Sequence, residues 1–162
     1  MGEGVEWSVH ACTLLALIPP DAALPASRLA EYHGVPPAYM AKHLQALAQA
    51  GIIESVAGRR GGYRLAQPAD AITVLDVVLA VEGDRPAFRC MEIRRRGPAA
   101  VAATEYRAPC GIHVTMDRAE AAWRKELAAT TITDLLGELA VSVSPVAVRK
   151  AAGWFEEVLR ER

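Results

Sequence analysis

Residues 34–65 constrain the fold of this chain more than any other stretch. They read GVPPAYMAKHLQALAQAGIIESVAGRRGGYRL, a helical apolar repeat that ends at Ala50-Gly51 and is followed by two short apolar runs. The runs, Ile52–Val56 and Tyr63–Leu65, have the length and β-branched or aromatic content of strands, and the glycines between them permit the positive φ of a tight hairpin. The stretch therefore predicts a helix followed directly by a small β-wing.

The remaining periodic segments indicate a mostly α chain with that small wing as its only sheet. Helices are predicted over residues 5–18, 26–32, 72–82 and 113–137, with one more after Pro145. The predicted organisation is a winged helix-turn-helix domain (1–83), a cysteine-bearing loop (84–112), and a long dimerisation helix with a C-terminal helix (113–162). A near-heptad apolar stripe supports the dimerisation helix: Met116, Ala119, Trp123 and Leu127.

Composition narrows the class of protein. The chain has 162 residues, about half of them apolar, and a net charge of −1, so it can bury a core and lacks global basicity. The longest apolar run, residues 13–18, is far short of the ~20 residues that span a bilayer. No basic segment precedes it, so no signal peptide is predicted. We expect a cytoplasmic protein with no membrane partner.

In the predicted helix at residues 37–49, Met40, Leu44 and Leu47 point inward. The outward face carries small, amide and single basic side chains: Ala38, Lys42, Gln45 and Gln49. Gln can bond adenine bidentately and Lys can reach guanine or phosphate, so this face suits the major groove of DNA. An ordinary solvated helix face is the alternative. Arg59 and Arg60 at the hairpin tip suit a narrow minor groove, although an isolated hairpin of this kind is more often a solvated turn. Helix and hairpin together make DNA the more specific prediction.

The run from Leu29 to Gly83 resembles the Rrf-two-type family of bacterial transcription regulators, whose members include the IscR, NsrR, RsrR and CymR types. The matching motifs are Ala50-Gly51-Ile52-Ile53 at the strand entry, Gly58-x-x-Gly61-Gly62-Tyr63 in the wing, and the helix from Ile72-Thr73 to Glu82-Gly83. One departure is Pro36, where the family commonly carries a serine that can cap the recognition helix. That departure concerns a local cap or phosphate contact rather than the fold.

The resemblance implies a homodimer that reads a pseudo-palindromic operator in double-stranded DNA with two winged domains. By position in the family pattern, Arg28 is expected to contact phosphate. Tyr39, Lys42 and Gln45 are expected to face the major groove, and Arg59 with Arg60 the minor groove.

The cysteines raise the question of a metal group. Three cysteines cannot form an even disulfide framework, and Cys12 lies on an apolar helix stripe that predicts packing. Many cluster-binding members of the family carry three cysteines in the loop after the fourth helix, whereas this chain has Cys90 and Cys110. Two such cysteines also fit unliganded thiols or a dithiol pair. A [2Fe–2S] cluster needs four ligands, and nitrogen donors can replace two thiolates. The candidate non-cysteine ligands are Glu6, His10, His33, His43 and His113.

The combination of Glu6-Trp7, His33, Cys90 and Cys110 resembles the RsrR-type redox sensors. That resemblance implies a cluster held by two cysteines of one subunit and a Glu and a His of the other. Trp7 would be the neighbour of the cluster ligand Glu6 and would respond to redox state. His10 is the reserve ligand because it shares the helix face of Glu6. Alternatively, His33 is a turn residue satisfied by water and Glu6 is a solvated acid.

The functional expectation is a DNA-binding transcriptional regulator, as a repressor, whose operator affinity follows the redox state of the cluster. A cluster-free regulator controlled by a protein partner or by thiol oxidation is the alternative within the family, as is a nitric-oxide sensor. The sequence contains no nucleotide-binding loop, nucleophile elbow or second cofactor motif, so we expect neither an enzyme nor a small-molecule substrate. An electron carrier and a zinc-stabilised module are the other classes.

Overall fold

The computed structural model describes residues 2–58 and 61–160. Within them it contains seven α-helices and one two-stranded antiparallel sheet, which confirms the predicted fold class. The elements in chain order are α1 (Glu3–Ala16), α2 (Ala26–His33), α3 (Pro37–Gln49), β1 (Ile53–Val56), β2 (Gly62–Leu65), α4 (Val74–Glu82), α5 (Gly111–Ala129), α6 (Ile132–Ser142) and α7 (Pro145–Arg160).

One apolar core joins the N-terminal helices to the end of the chain. The inward positions predicted for α3, Met40, Leu44 and Leu47, are fully buried. They pack in the same core as Ile132 of α6 and Val158 of α7. The C-terminal helices therefore stabilise the body that carries α3, because removing them would expose this shared apolar surface.

The first helix begins and ends two residues earlier than the sequence predicted, at Glu3 and Ala16 rather than residues 5 and 18. Acidic Glu3 and Glu6 lie in its first turn, where they interact favourably with the helix dipole. At the other end Ile18 precedes Pro19, and a residue before proline is disfavoured in the helical conformation.

The predicted long helix over residues 113–137 is wrong, since two helices occupy this region. Helix α5 ends at Ala129, and Thr130 and Thr131 adopt extended conformations before α6 begins. Thr131 pairs with Thr73 in an antiparallel bridge, through hydrogen bonds from Val74 N to Thr130 O and from Ile132 N to Ile72 O, both 2.9 Å long. This tertiary pairing satisfies backbone groups that a continuous helix would have used internally.

Residues 84–110 connect α4 to α5 with little regular structure. Two short 3-10 turns, Ile93–Arg95 and Ala103–Glu105, interrupt the segment. Its cysteines lie at Cys90, inside the segment, and at Cys110, the N-cap position of α5. We refer to residues 84–110 as the cysteine segment.

Among the described residues, no helix combines the length and the apolar character needed to cross a membrane.

Candidate functional site

The outward face of α3 is available to a ligand. Tyr39, Lys42 and Gln45 are all exposed, and Tyr39 is 59% exposed. Arg28, in the first turns of α2, lies 2.7 Å from Glu31 in an ion pair. The predicted minor-groove residues, Arg59 and Arg60, lie outside the described residues.

A tight turn sets the position of α3. Gly34 adopts a left-handed conformation (φ 65°) after the last residue of α2, and Val35 N donates to Ala30 O at 2.9 Å. Helix α3 then starts with a proline at its first position, which suits a helix N-terminus. Pro36 is its N-cap residue and supplies no side-chain hydrogen bond, as the departure from the family pattern indicated.

The β-wing is attached to the body through its second strand. Leu24 and Tyr63 exchange two backbone hydrogen bonds of 2.8 Å, which adds a third short segment beside β2. A Cβ atom on Gly62 would lie 2.4 Å from the carbonyl carbon of Leu24. Only glycine permits this approach, so Gly62 of the wing motif allows the wing to pack closely against the segment at Leu24.

The predicted ligands at the N-terminal end of the chain converge on one location. His33 is half-buried, and its ring centroid lies 5.0 Å from that of His10 on α1. Its Nε2 is buried and has no hydrogen-bond partner among the described residues. Burial chiefly, and then the charge of His10, lowers the pKa of His33, although the His10 backbone and Glu6 act in the opposite direction. The favoured neutral imidazole is the form that binds a metal.

Trp7 of α1 packs against α3. Its ring meets the rings of Tyr39 and His43 edge-on, with centroids 6.1 Å and 5.9 Å away. The His43 ring also lies so close to Gly4 that a Cβ atom there would be 2.2 Å from His43 Cε1. The neighbour of Glu6 is thus packed directly on α3.

The three cysteines have different environments. Cys12 is fully buried, as predicted, and burial raises the pKa of its thiol to about 12. Cys90 and Cys110 are half-buried free thiols in the cysteine segment. The backbone N–H groups of His113 and Ile112, and then the charge of Arg94, lower the pKa of the Cys110 thiol. A thiolate at a helix N-terminus is suited to metal binding.

The donor types fit an iron–sulfur cluster, although one chain does not assemble them. The rings of His10 and His33 are in contact and Glu6 lies one turn before His10 on α1, whereas no group of three or more His, Cys, Asp or Glu among residues 2–58 and 61–160 is arranged to hold a metal ion. An unpartnered buried imidazole nitrogen and a thiol of lowered pKa are the groups expected of such ligands. His113 is a further candidate, because its Nδ1 is also buried without a hydrogen-bond partner among the described residues, although it lies 3.3 Å from Asp117 Oδ1.

Sequence reasoning missed two features of the site. The first is Leu24, which pairs with the wing although nothing in its local pattern marks it as a strand residue. The second is an interaction network around Arg94, which the sequence shows only as one member of an arginine run. The spacing of Glu92 and Arg94 could have indicated their ion pair, but the role of Tyr106 depends on the path of the segment.

Sequence comparison finds relatives of this chain among transcriptional regulators. Residues 1–138 match the Rrf2 family, described as "Iron-dependent Transcriptional regulator". YwgB of Bacillus subtilis (strain 168), by name an HTH-type transcriptional regulator, is 39% identical over 83 residues, 51% of this chain and 53% of YwgB. Protein aau3 of Rhizobium meliloti (strain 1021) is 35% identical over 112 residues, 67% of this chain and 66% of that protein. The chain thus spans only about half to two thirds of these relatives.

Solved structures show the same fold. CymR (YrzC), the global cysteine regulator of B. subtilis, superposes with a TM-score of 0.68 at 21% identity, covering 85% of this chain and 96% of CymR. IscR of T. potens superposes with a TM-score of 0.65 at 20% identity, covering 89% of this chain and 91% of IscR. The family match extends over most of the chain and includes the helix-turn-helix, the wing and the cysteine segment. The chain therefore belongs to the Rrf2 family of transcriptional regulators.

Proposed function

We propose that this chain is a dimeric DNA-binding repressor whose operator affinity is set by the redox state of a [2Fe–2S] cluster shared between two subunits, as in the RsrR-type regulators. The observation that carries the redox proposal is the position of His33. Its unpartnered Nε2 belongs to the residue that immediately precedes Gly34, the turn that orients α3. A ligand bound at this nitrogen would act directly on the support of the recognition helix.

The DNA-reading surface is the exposed face of α3 together with the wing. Lys42 and Gln45 supply a cation and an amide at the surface of a helix that is anchored below by fully buried Leu44 and Leu47. A helix that presents Lys and Gln side chains on its exposed face is suited to the major groove, and Arg59 and Arg60 are proposed to enter the minor groove. Two such surfaces in a dimer would read half-sites separated by about one helical turn or a small multiple of it.

Helix α5 supports the homodimer. Within one chain this 19-residue helix contains no buried residue, and Ile112, Val114 and Met116 on it are exposed. A groove of about 510 Å³ runs between α4 and α5, with Met116 and Trp123 among its lining residues. A helix of this length with an uncovered apolar stripe is typical of pairing with a second copy.

The proposed ligands are Cys90 and Cys110 of one subunit and Glu6 and His33 of the other. This division agrees with the absence of a complete set of ligands among the described residues of a single chain. When bound, the cluster would supply a one-electron redox centre at the junction of two subunits. Glu6 contributes an exposed carboxylate, His33 a neutral imidazole, and Cys110 a thiol whose pKa is already lowered by backbone N–H groups.

The structure contains two routes from the proposed ligands to the recognition helix. His33 ends α2 directly before the turn into α3, and Trp7 beside Glu6 contacts the Tyr39 ring on α3. Movement of either ligand would therefore alter the pose of the DNA-reading face. Each displaced base contact costs about 1–3 kcal/mol, so a small rotation shared by two half-sites would change operator affinity by orders of magnitude.

The test is anaerobic purification followed by absorption and electron paramagnetic resonance spectra, with iron and sulfide analysis. A brown protein containing stoichiometric iron and sulfide is expected, and substitution of Glu6, His33, Cys90 or Cys110 should change its spectrum. Operator binding measured in both redox states should differ and should weaken steeply with added salt. A colourless protein after reconstitution would exclude the cluster, and salt-insensitive binding would exclude direct phosphate contact.

A cluster-free regulator of the same family is the second candidate. The lowered pKa of the Cys110 thiol favours it, because reactive thiolates can also serve thiol-based control. In that case the DNA affinity of a metal-free dimer would respond to a thiol oxidant or to a protein partner. Nitric-oxide sensing is a variant of the cluster proposal, and exposure of the cluster-loaded protein to nitric oxide under anaerobic conditions distinguishes the two.

A further inference from the structure

The cysteine segment has an organising residue at Arg94. Its guanidinium holds the Glu92 carboxylate bidentately, with Nε to Oε1 at 2.6 Å and Nη2 to Oε2 at 3.0 Å. The same guanidinium lies over the ring of Tyr106, 4.4 Å from its centroid, and the Tyr106 hydroxyl donates to the Arg94 carbonyl oxygen. Arg94 is therefore joined to Tyr106, which lies twelve residues further along the segment.

The contact between Glu92 and Arg94 coincides with an unusual backbone conformation. Glu92 adopts a left-handed conformation with φ 45° and ψ 52°, and it is the only residue other than glycine with positive φ among residues 2–58 and 61–160. An L-residue adopts this conformation at a cost, which neighbouring interactions must offset. The bidentate contact with Arg94 is the interaction that offsets it here, because charge-assisted paired hydrogen bonds are among the strongest in proteins.

The other arginines of the run differ from Arg94. Arg95 and Arg96 are exposed, whereas the side chain of Arg94 is only 32% exposed and lies between Glu92 and Tyr106. A run that reads as three equivalent cations in the sequence thus contains one structural residue and two surface residues.

We propose that Arg94 is a positioning residue for the metal group proposed for the cysteines: it fixes the fold of the cysteine segment and places a permanent positive charge within that segment. The proposal rests on the proposed function only in its second part. Two thiolates and a carboxylate give the proposed site an excess of negative charge. A nearby guanidinium favours the reduced form, which carries one more negative charge.

Three variants separate these two roles. Arg94→Gln removes the charge and the bidentate grip, and Arg94→Lys keeps the charge but loses the planar fork. Arg96→Gln is the matched control, since it removes the same charge from a neighbouring, exposed side chain. All three are made in the full-length protein.

Hydrogen exchange of the metal-free protein measures the first role. Amides of the cysteine segment should exchange about tenfold faster in Arg94→Gln and Arg94→Lys than in wild type, because charge-assisted hydrogen bonds are lost. Arg96→Gln should match the wild type. Equal exchange in Arg94→Gln and wild type would overturn the positioning role, whether or not the protein binds a cluster.

The midpoint potential of the reconstituted protein measures the second role. Arg94→Gln should have a lower potential than wild type, while Arg94→Lys and Arg96→Gln should remain close to it. Equal potentials in Arg94→Gln and Arg96→Gln would overturn the electrostatic role, because both variants lose one charge. If the wild type binds no iron or sulfide, the proposed function fails together with this electrostatic role, while the exchange measurement still decides the positioning role.

Discussion

The ring centroids of His10 and His33 lie 5.0 Å apart, and Nε2 of His33 is buried without a hydrogen-bond partner among the described residues. His10 belongs to α1, one turn after Glu6, and His33 is the last residue of α2. The two rings therefore join the first helix to the turn that orients the recognition helix. The proposal assigns the ligand role to His33 because its buried Nε2 is open, whereas His10 is exposed.

The first prediction separates these histidines. His33→Ala should abolish the cluster spectrum, since it removes the unpartnered nitrogen, whereas His10→Ala should retain the cluster with an altered spectrum. Absorption and electron paramagnetic resonance spectra of the anaerobically reconstituted variants measure the difference. Loss of the cluster in His10→Ala but not in His33→Ala would assign the ligand to His10 instead.

The second prediction concerns the attachment of the wing. Gly62→Ala should destabilise the protein by about 1–3 kcal/mol, because the new Cβ must move away from the Leu24 carbonyl and the residue disfavours positive φ. DNA affinity should fall as well, since the wing would be displaced. Urea unfolding and operator titration measure the two effects.

Gly137→Ala provides the control for the wing variant. Gly137 lies in α6, and a Cβ atom there would meet nothing within 4 Å. This substitution should raise stability by roughly 0.5–1 kcal/mol, as expected for glycine in a helix interior. If Gly62→Ala were as stable as Gly137→Ala, the close approach of β2 to Leu24 would not restrain the wing.

The third prediction concerns the start of α6. Thr131 and Asp134 form a capping box, in which Thr131 Oγ1 accepts from Asp134 N at 3.1 Å and the Asp134 carboxylate accepts from Thr131 N at 2.8 Å. Thr131→Ala should lower the free energy of unfolding by about 1 kcal/mol. Thr133→Ala, at an exposed position of the same helix, should change stability by less than about 0.5 kcal/mol. Equal effects in urea unfolding would exclude a specific role for the cap.

The fourth prediction is a pH dependence that arises from Cys12. Burial raises the pKa of its thiol from 9.0 to about 12 in the folded protein, so the unfolded chain loses its proton first as the pH rises. The associated stability is fully present below about pH 9 and is lost between pH 9 and 12, at up to about 1.4 kcal/mol per pH unit. Denaturant unfolding across this range measures it.

Cys12→Ala is the control for the alkaline slope. The variant should be less stable at neutral pH because it leaves a small cavity, but its stability should fall less steeply above pH 9. Parallel curves for wild type and Cys12→Ala would show that the buried thiol does not contribute to the pH dependence. A thiol reagent at neutral pH should correspondingly modify Cys110 in preference to Cys12.

Local sequence signals were sufficient where an element is defined by its own residues. The apolar spacing of Met40, Leu44 and Leu47 predicted the inward face of α3, and all three side chains are fully buried. At the start of α4, Thr73 and Asp76 form a capping box between residues only three positions apart. Periodicity and capping act within one or two turns of chain, so the sequence alone expresses them.

Other features depended on contacts between distant parts of the chain. The residues from 113 to 137 have a continuous helical pattern, yet the bridge between Thr73 and Thr131 ends α5 and starts α6. The pairing of Leu24 with Tyr63 is a second such contact. A backbone bridge of this kind depends on which strand passes nearby rather than on local propensity.

The sequence by itself determined the recognition helix, the glycine-rich wing and the residue types available as ligands, because each follows from side-chain chemistry and short-range spacing. The tertiary structure decided which of these residues meet. It placed His33 against His10, packed Trp7 on Tyr39, and selected Arg94 from three consecutive arginines as the partner of Glu92 and Tyr106. Such choices depend on packing between elements far apart in the chain, and the free energy of that packing is not expressed in any local pattern.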